Sequence, residues 1–265
     1  MEKQLVSVDL RSDFGFFKKP EINAGVSFTY NFVHKPALLG VFGAIAGLGG
    51  FYDHYIFKKT KRPQYYEEFK KLKISIAPLG VNEVNRKHFI TYTNTVGYAN
   101  DDGNLILKEQ TLVKPNFRIY IMSDKASESE RILLNNLKNV EAVYIPYMGK
   151  NEYPAYWTNY TEYDIANHIE PPKDNYRIVS LFIKPPESTI KEAVKKQSFS
   201  FLNLKAAQNS ETRVYFERLP LEYNEQSNNY VLREFVYSTM MFSDKFDPGG
   251  LIRVSAIGEE YIQLF

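Results

Sequence analysis

The stretch Pro36-Ala-Leu-Leu-Gly-Val-Phe-Gly-Ala-Ile-Ala-Gly-Leu-Gly-Gly50 constrains the fold more than any other part of the chain. Proline at its start and paired glycines at its end are the punctuation of an α-helix. Three glycines inside it, Gly40, Gly43 and Gly47, each cost about 1 kcal/mol relative to alanine in a helix. Their spacing of three and four sets them along one face, where another backbone can approach closely. That backbone is either protein or nucleic acid, and plain packing of the helix on a sheet is the structural alternative. The apolar run from Ala37 to Phe51 is too short and too glycine-rich to cross a bilayer.

Around this helix the pattern is mixed α and β. Leu5 to Leu10 alternates and is rich in β-formers, so it predicts a strand. Asp13 to Tyr30 predicts a long loop or irregular hairpin, Tyr65 to Lys71 a helical or irregular exposed segment, and Leu72 to Leu79 a strand. Arg86 to Gly97 and Asn104 to Val113 are two β-prone arms around the turn signal Asn100-Asp101-Asp102-Gly103. They predict a projecting hairpin with little to bury. Asn116 to Met122 predicts a strand, Ser127 caps an amphipathic helix carrying Ile132, Leu133 and Leu137, and Ala142 to Ile145 predicts a closing strand. This order fits an α+β chain with a ferredoxin-like (RRM-like) domain and an inserted hairpin. Glu170-Pro171-Pro172-Lys173-Asp174 marks a boundary, so the expected division is 1–165 and a smaller β-rich region at 166–265. Strands are expected there at Tyr176 to Ile183, Thr212 to Leu221, Tyr230 to Thr239 and Leu251 to Ile257. Pro220 should bend or edge one of them, and Ser188 to Ala207 is basic and partly helical.

Composition narrows the chemistry. No cysteine is present, which removes disulfides, thiolate metal sites and cysteine nucleophiles and fits a cytoplasmic protein. The N-terminus runs directly into the first strand without a signal peptide's apolar middle. The four histidines are scattered, no Walker loop or GxSxG elbow occurs, and no metal or cofactor is expected. A net charge of +2 argues against a diffuse polyanion binder. Basic residues cluster locally, at Lys18-Lys19 beside Phe14, Phe16 and Phe17, and again from Lys58 to Lys73. Aromatic content is 15%, with 20 Tyr and 19 Phe, and tyrosine suits both base stacking and wet interfaces. Lys87 and His88, with Tyr92 nearby, could serve a metal-independent ribonuclease, but neighbouring strand residues face opposite sides.

Four stretches together resemble a known family: Val8 to Pro20; Thr29-Tyr30 leading to Pro36 through Leu48; Glu109 to Tyr120; and Tyr144-Ile-Pro-Tyr-Met-Gly-Lys-Asn-Glu-Tyr153. They are similar to the CRISPR-associated RAMP subunit that caps the crRNA 5′ handle in type I Cascade complexes, most of all its I-B branch. The last stretch carries methionine where the family's Pro-Tyr-Leu-Gly has leucine. The resemblance covers about the first 155 residues. It implies a ferredoxin-like RAMP fold with a hairpin "thumb". It also implies contact with the backbone and large subunits, target DNA nearby through the complex, and no membrane. In the I-C branch the subunit cleaves precursor guide RNA; in I-B-like systems it is structural, which is the expectation here. The expected phosphate contacts are Arg11, Lys18, Lys19, Arg86, Lys87 and Arg118, and the expected stacking faces are Phe14, Phe17 and Tyr147. Tyr30, Gly40, Asn94, Thr95 and Lys150 complete the expected RNA-binding set. A ribonuclease and a protein-interaction scaffold are the two alternatives.

Overall fold

The computed structural model describes residues 3–22, 25–58, 62–79, 85–94, 105–164, 172, 175–185, 213–224, 226–227, 229–243, 246–255 and 259–265. The elements run β1 (Lys3–Arg11), β2 (Phe14–Gly15), β3 (Val26–Ser27), α1 (Lys35–Ala46) and α2 (Phe51–Asp53), which continues as a π-helical turn over His54–Lys58. Then come α3 (Gln64–Phe69), β4 (Lys73–Pro78), β5 (Arg86–Asn94), β6 (Leu105–Val113), β7 (Asn116–Asp124), α4 (Glu128–Asn139) and β8 (Tyr156–Tyr163). The remainder is β9 (Tyr176–Ile178), β10 (Phe182–Ile183), β11 (Val214–Asn224), β12 (Asn229–Ser238), β13 (Met241–Phe242), β14 (Leu251–Arg253) and β15 (Glu260–Gln263).

The main sheet has the order β4-β7-β1-β8 with every pairing antiparallel, which is the ferredoxin-like arrangement in an α+β chain. Its inner strand β1 is buried on both faces from Leu5 to Leu10. Val6, Val8 and Leu10 enter the core with Leu38, Phe42, Ile45 and Leu133 from α1 and α4. Leu5 points the other way, to Ala77, Tyr120 and Ile262. Fully burying a side chain of this size contributes about 1.5–3 kcal/mol, so the α1 face is a main source of stability.

The glycines of α1 have local causes. An added Cβ at Gly43 would stand 2.3 Å from Cβ of Tyr65, so the glycine admits α3. Gly47 closes α1 at φ 77, in the left-handed region. At the start of α1, His34 Nδ1 accepts the Ala37 N–H at 3.3 Å. What approaches this helix at Gly43 is therefore the Tyr65 side chain rather than another backbone.

Two expectations need correction. Ala142 to Ile145 forms no strand: the N–H groups of Val143 and Tyr144 donate to the carbonyls of Ile45 and Ala44, at the C-terminal end of α1. Terminal helix carbonyls lack intrahelical partners, and this loop supplies donors to them. The fourth strand of the sheet is β8 instead, which pairs with β1 across a register shift between Ser7 and Asp9. The hairpin β5–β6 is also not an isolated ribbon. Its strand β6 pairs on the other edge with β2 and β3, and its arms expose Phe89, Leu105 and Ile106.

The C-terminal strands join this framework. Phe265 and Ile74 exchange backbone hydrogen bonds at 3.1 and 3.0 Å, and the Leu181 N–H donates to the Ile76 carbonyl, so they add to the edge of β4. Leu181, Leu219, Phe235 and Tyr237 belong to the same buried cluster as Val6. The pairing of β11 with β12 shifts register between Pro220 and Glu222, where the proline predicted a bend. The strand expected over Tyr176 to Ile183 is divided into β9 and β10. The boundary expected at 165/166, most of the Glu170–Asp174 stretch and the basic segment Ser188–Ala207 lie outside the described residues.

Candidate nucleic-acid interface

Beside α1 lies an open cleft of about 960 Å³, at the upper end of the range for small-ligand sites. One side is the α1 face carrying Ala37, Gly40, Val41 and Ala44, a spacing that presents small side chains along one stripe. Phe16, Phe17 and Lys18 form a second side, and Tyr144, Tyr147 and Gly149 a third. Phe51, Tyr52, Tyr65 and Tyr230 complete it. Three of the four stretches that carry the family resemblance meet here, although they are far apart in the chain.

The walls are held by backbone. The Phe16 N–H donates to the Met148 carbonyl at 3.0 Å, and the Met148 N–H donates to the Tyr153 carbonyl at 2.8 Å. Gly149 adopts φ 86, and a Cβ there would fall 1.9 Å from the Phe16 carbonyl oxygen, so only glycine fits. Tyr147 pairs with Pro154 and stays exposed. On the opposite side Phe51, Tyr52, Tyr55, Ile56 and Phe57 all project into solvent.

Electrostatically the cleft is close to neutral. His34 is fully enclosed, with edge contacts to Phe17 and Tyr30, and burial pulls its pKa down to about 3. Since Nδ1 caps α1, the proton sits on Nε2. Among the described residues, Asp53 and Lys18 are the remaining charged side chains on the lining. Ring faces and small backbone-like surfaces in a neutral cleft suit flat aromatic ligands such as unpaired bases.

The expected site residues divide into five groups. Tyr147, Lys18 and Gly40 line the cleft; Phe14 stands exposed nearby, tilted against Tyr153 at 5.8 Å. Arg11 and Arg86 are exposed and have no ion-pair partner among the described residues. Phe17 and Tyr30 are core residues, so no free ring face remains for stacking. Four expected cations are committed within the protein. Arg118 donates to both carboxylate oxygens of Asp9 at 2.7 and 3.0 Å. Burial would raise the Asp9 pKa, but hydrogen bonds from Arg118 and Asn159 outweigh it and hold the carboxyl below its usual range. Lys19 pairs with Glu217 at 3.0 Å, Lys87 donates to the Thr29 carbonyl at 3.4 Å, and Lys150 pairs with Glu109 at 2.5 Å. Asn94 ends β5, with its side chain outside the described residues, as is all of Thr95.

Sequence reasoning missed Tyr65, Tyr230, His34, Tyr144 and Gly149 as parts of one site. Tyr144 and Gly149 stand inside a quoted stretch and were within reach. Tyr230, on β12, carried no local signal.

No protein-family model matches the chain, and no curated protein matches it. Among solved structures it is similar to a chain described as "CRISPR RNA-guided surveillance complex", with TM-score 0.44 and 12% identity over 89% of this chain and 90% of that one. A CRISPR protein from Archaeoglobus fulgidus gives TM-score 0.42 and 14% identity, covering 97% of each chain. A chain of the Type III-B Cmr-beta complex bound to cognate target RNA and AMPPnP gives TM-score 0.47 and 7% identity, over 97% and 99%.

Proposed function

We propose that this chain is a non-catalytic RNA-binding subunit of a CRISPR effector complex of type I Cascade kind, acting in the cytoplasm. In this reading it holds the 5′ handle of the crRNA against the cleft beside α1. The observation that carries it is the convergence of three distant family-like stretches on one neutral, aromatic cleft. Tyr147, with Tyr144 and Tyr52, presents ring faces to unpaired bases, each stack worth about 1–3 kcal/mol. Exposed Arg11, Lys18 and Arg86 contact the flanking phosphates.

Partner contacts follow from the exposed apolar surfaces. Tyr55, Ile56 and Phe57, which lie off the cleft lining, are assigned to a neighbouring protein subunit, because exposed large apolar side chains grouped in one short segment mark an interaction surface. The hairpin β5–β6 is assigned to the backbone subunit and the handle–spacer junction, through Ile106, Leu105 and Phe89. The non-catalytic reading is supported by the placement of two residues of the ribonuclease alternative: Lys87 donates to the Thr29 carbonyl, while its strand neighbour His88 is exposed.

The test is reconstitution of the effector complex with and without this chain, followed by nuclease mapping of the guide. The handle should be protected only when the chain is present. Equal protection without it would overturn the reading.

A further inference from the structure

A second open groove, of about 630 Å³, lies between the main sheet and the C-terminal strands, and its chemistry is the reverse of the aromatic cleft's. Three of the chain's ten arginines meet on its lining: Arg118 from β7, Arg177 from β9, and Arg213 at the entry to β11. Among the described residues the one carboxylate on the lining is Glu260. The hydroxyl residues Ser238 and Thr239 lie beside them, whereas the two rings among the described lining residues, Tyr120 and Tyr237, are 4% and 6% exposed and offer no open face.

One guanidinium is held by a carboxylate, and a second arginine is clamped through its main chain. Asp9 takes Nε and Nη2 of Arg118, which sets the plane of the group and leaves Nη1 outside the pair. The main chain of Arg213 is clamped by Thr239, whose N–H donates to its carbonyl at 3.0 Å and whose hydroxyl accepts its N–H at 2.9 Å. Arg177 is exposed and has no carboxylate in ion-pair range among the described residues, even though its strand neighbour across the pairing is Glu260. Gathering planar, permanently charged forks on rigid strands is favourable where a multivalent oxyanion sits among them.

We propose that this groove binds phosphate, taking the phosphodiester backbone of a single-stranded nucleic acid, with Arg177 as the principal contact and Arg118 and Arg213 flanking it. With no open ring face among the described lining residues, it is a sequence-independent backbone site rather than a base reader. The identity of the polymer rests on the nucleic-acid reading given above; the phosphate chemistry does not.

Two measurements on the purified full chain test it. The first is thermal melting with inorganic tripolyphosphate, and the second is anisotropy of labelled single-stranded RNA between about 50 and 200 mM salt. Arg177→Gln should abolish the tripolyphosphate-induced rise in Tm while leaving the ligand-free Tm unchanged. The same variant should weaken RNA binding several-fold for every sequence and lower the log–log salt slope by about one. Arg131→Gln, on the exposed face of α4, should change neither. A tripolyphosphate response equal in wild type and Arg177→Gln, with unchanged RNA slope, would overturn the site. If RNA binding is then still weakened by Tyr147→Ala, the proposed function survives that result. A phosphate response that depends on Arg177, with no RNA binding by wild type, would overturn the polymer assignment and the proposed function together.

Discussion

The cleft beside α1 and the hairpin β5–β6 are both exposed, yet the chain supports them in opposite ways. Two walls of the cleft rest on packed backbone, Gly149 against the Phe16 carbonyl and the 143–144 loop against the end of α1, and Gly43 seats the Tyr65 side chain that lines a third. In the hairpin only the base is woven in, through β2 and β3, while Phe89, Tyr92, Leu105 and Ile106 point outward. A site built on packed backbone is preorganised, and binding there loses little to ordering. An apolar ribbon without a cover gains most of its stabilisation from a partner. Lys150 joins the two, paired with Glu109 on β6 and lying over the Phe16 and Tyr92 rings at 5.1 and 5.2 Å.

The largest effect should come from breaking the rigid side of this contrast. Gly149→Val combines a clash with the Phe16 carbonyl and a β-branched residue at positive φ. It should destabilise the fold by about 2–6 kcal/mol, read by denaturant unfolding. Gly50→Ala, where an added Cβ meets nothing within 4 Å, should be nearly neutral. Equal behaviour of the two variants would mean the cleft wall is not rigid.

Deleting residues 94–107 and closing with a short turn attacks the other side. Melting should stay within a few degrees of wild type, because the deletion leaves the base at Thr111 and Leu112 buried, while guide-dependent complex formation is lost. A collapsed fold would make the ribbon part of the core.

A third, smaller effect concerns acid. Folded His34 has its pKa lowered by burial to about 3 from 6.5, so the unfolded chain binds the extra proton between those values. Stability contributed by neutral His34 is therefore complete above 6.5 and is lost as pH falls, by about 1.4 kcal/mol per pH unit. Asparagine keeps a capping acceptor, so His34→Asn should flatten the pH dependence of unfolding free energy over that window. Glu217, raised by burial, has the opposite sign and is unchanged in the comparison. A variant with the wild-type slope would show that His34 is not buried neutral.

The smallest effect joins the two regions. Lys150→Met leaves Glu109, whose side chain is 11% exposed, without its cation. The cost should be about 1–3 kcal/mol, partly recovered by adding Glu109→Gln. Additive effects in that double-mutant cycle would mean cleft and hairpin are not coupled there.

Much of the framework was legible because it obeys local rules. Pro36 opens α1, although the helix closes at Gly47, before the paired glycines expected to end it; Ser127 caps α4 by accepting the Glu130 N–H, and the arms around 100–103 pair as a hairpin. The fourth strand was not, because within β8 only Trp157 is buried; an edge strand with one anchoring residue shows no alternation. The apolar run at 142–145 misled for the converse reason: Val143, Tyr144 and Ile145 are exposed, and their segment serves helix carbonyls and the cleft mouth. For the site, composition identified the right residue types but not their commitments. Lys19 and Lys150 look like phosphate ligands in the sequence and are ion-paired in the fold, and Arg118 keeps only Nη1 outside its pair, since the partners Glu217, Glu109 and Asp9 are distant in the chain.

The central claim is that unpaired handle bases lie on the rings of the cleft beside α1. Photo-crosslinking tests it most directly: an effector complex assembled on guide RNA with 4-thiouridine at successive handle positions is irradiated, digested and sequenced by mass spectrometry. Adducts are predicted on Tyr147, Tyr144 and Tyr52, and should be lost at the corresponding handle position in Tyr147→Ala. Adducts confined to the hairpin or to other subunits, with the cleft peptides unmodified, would contradict the account.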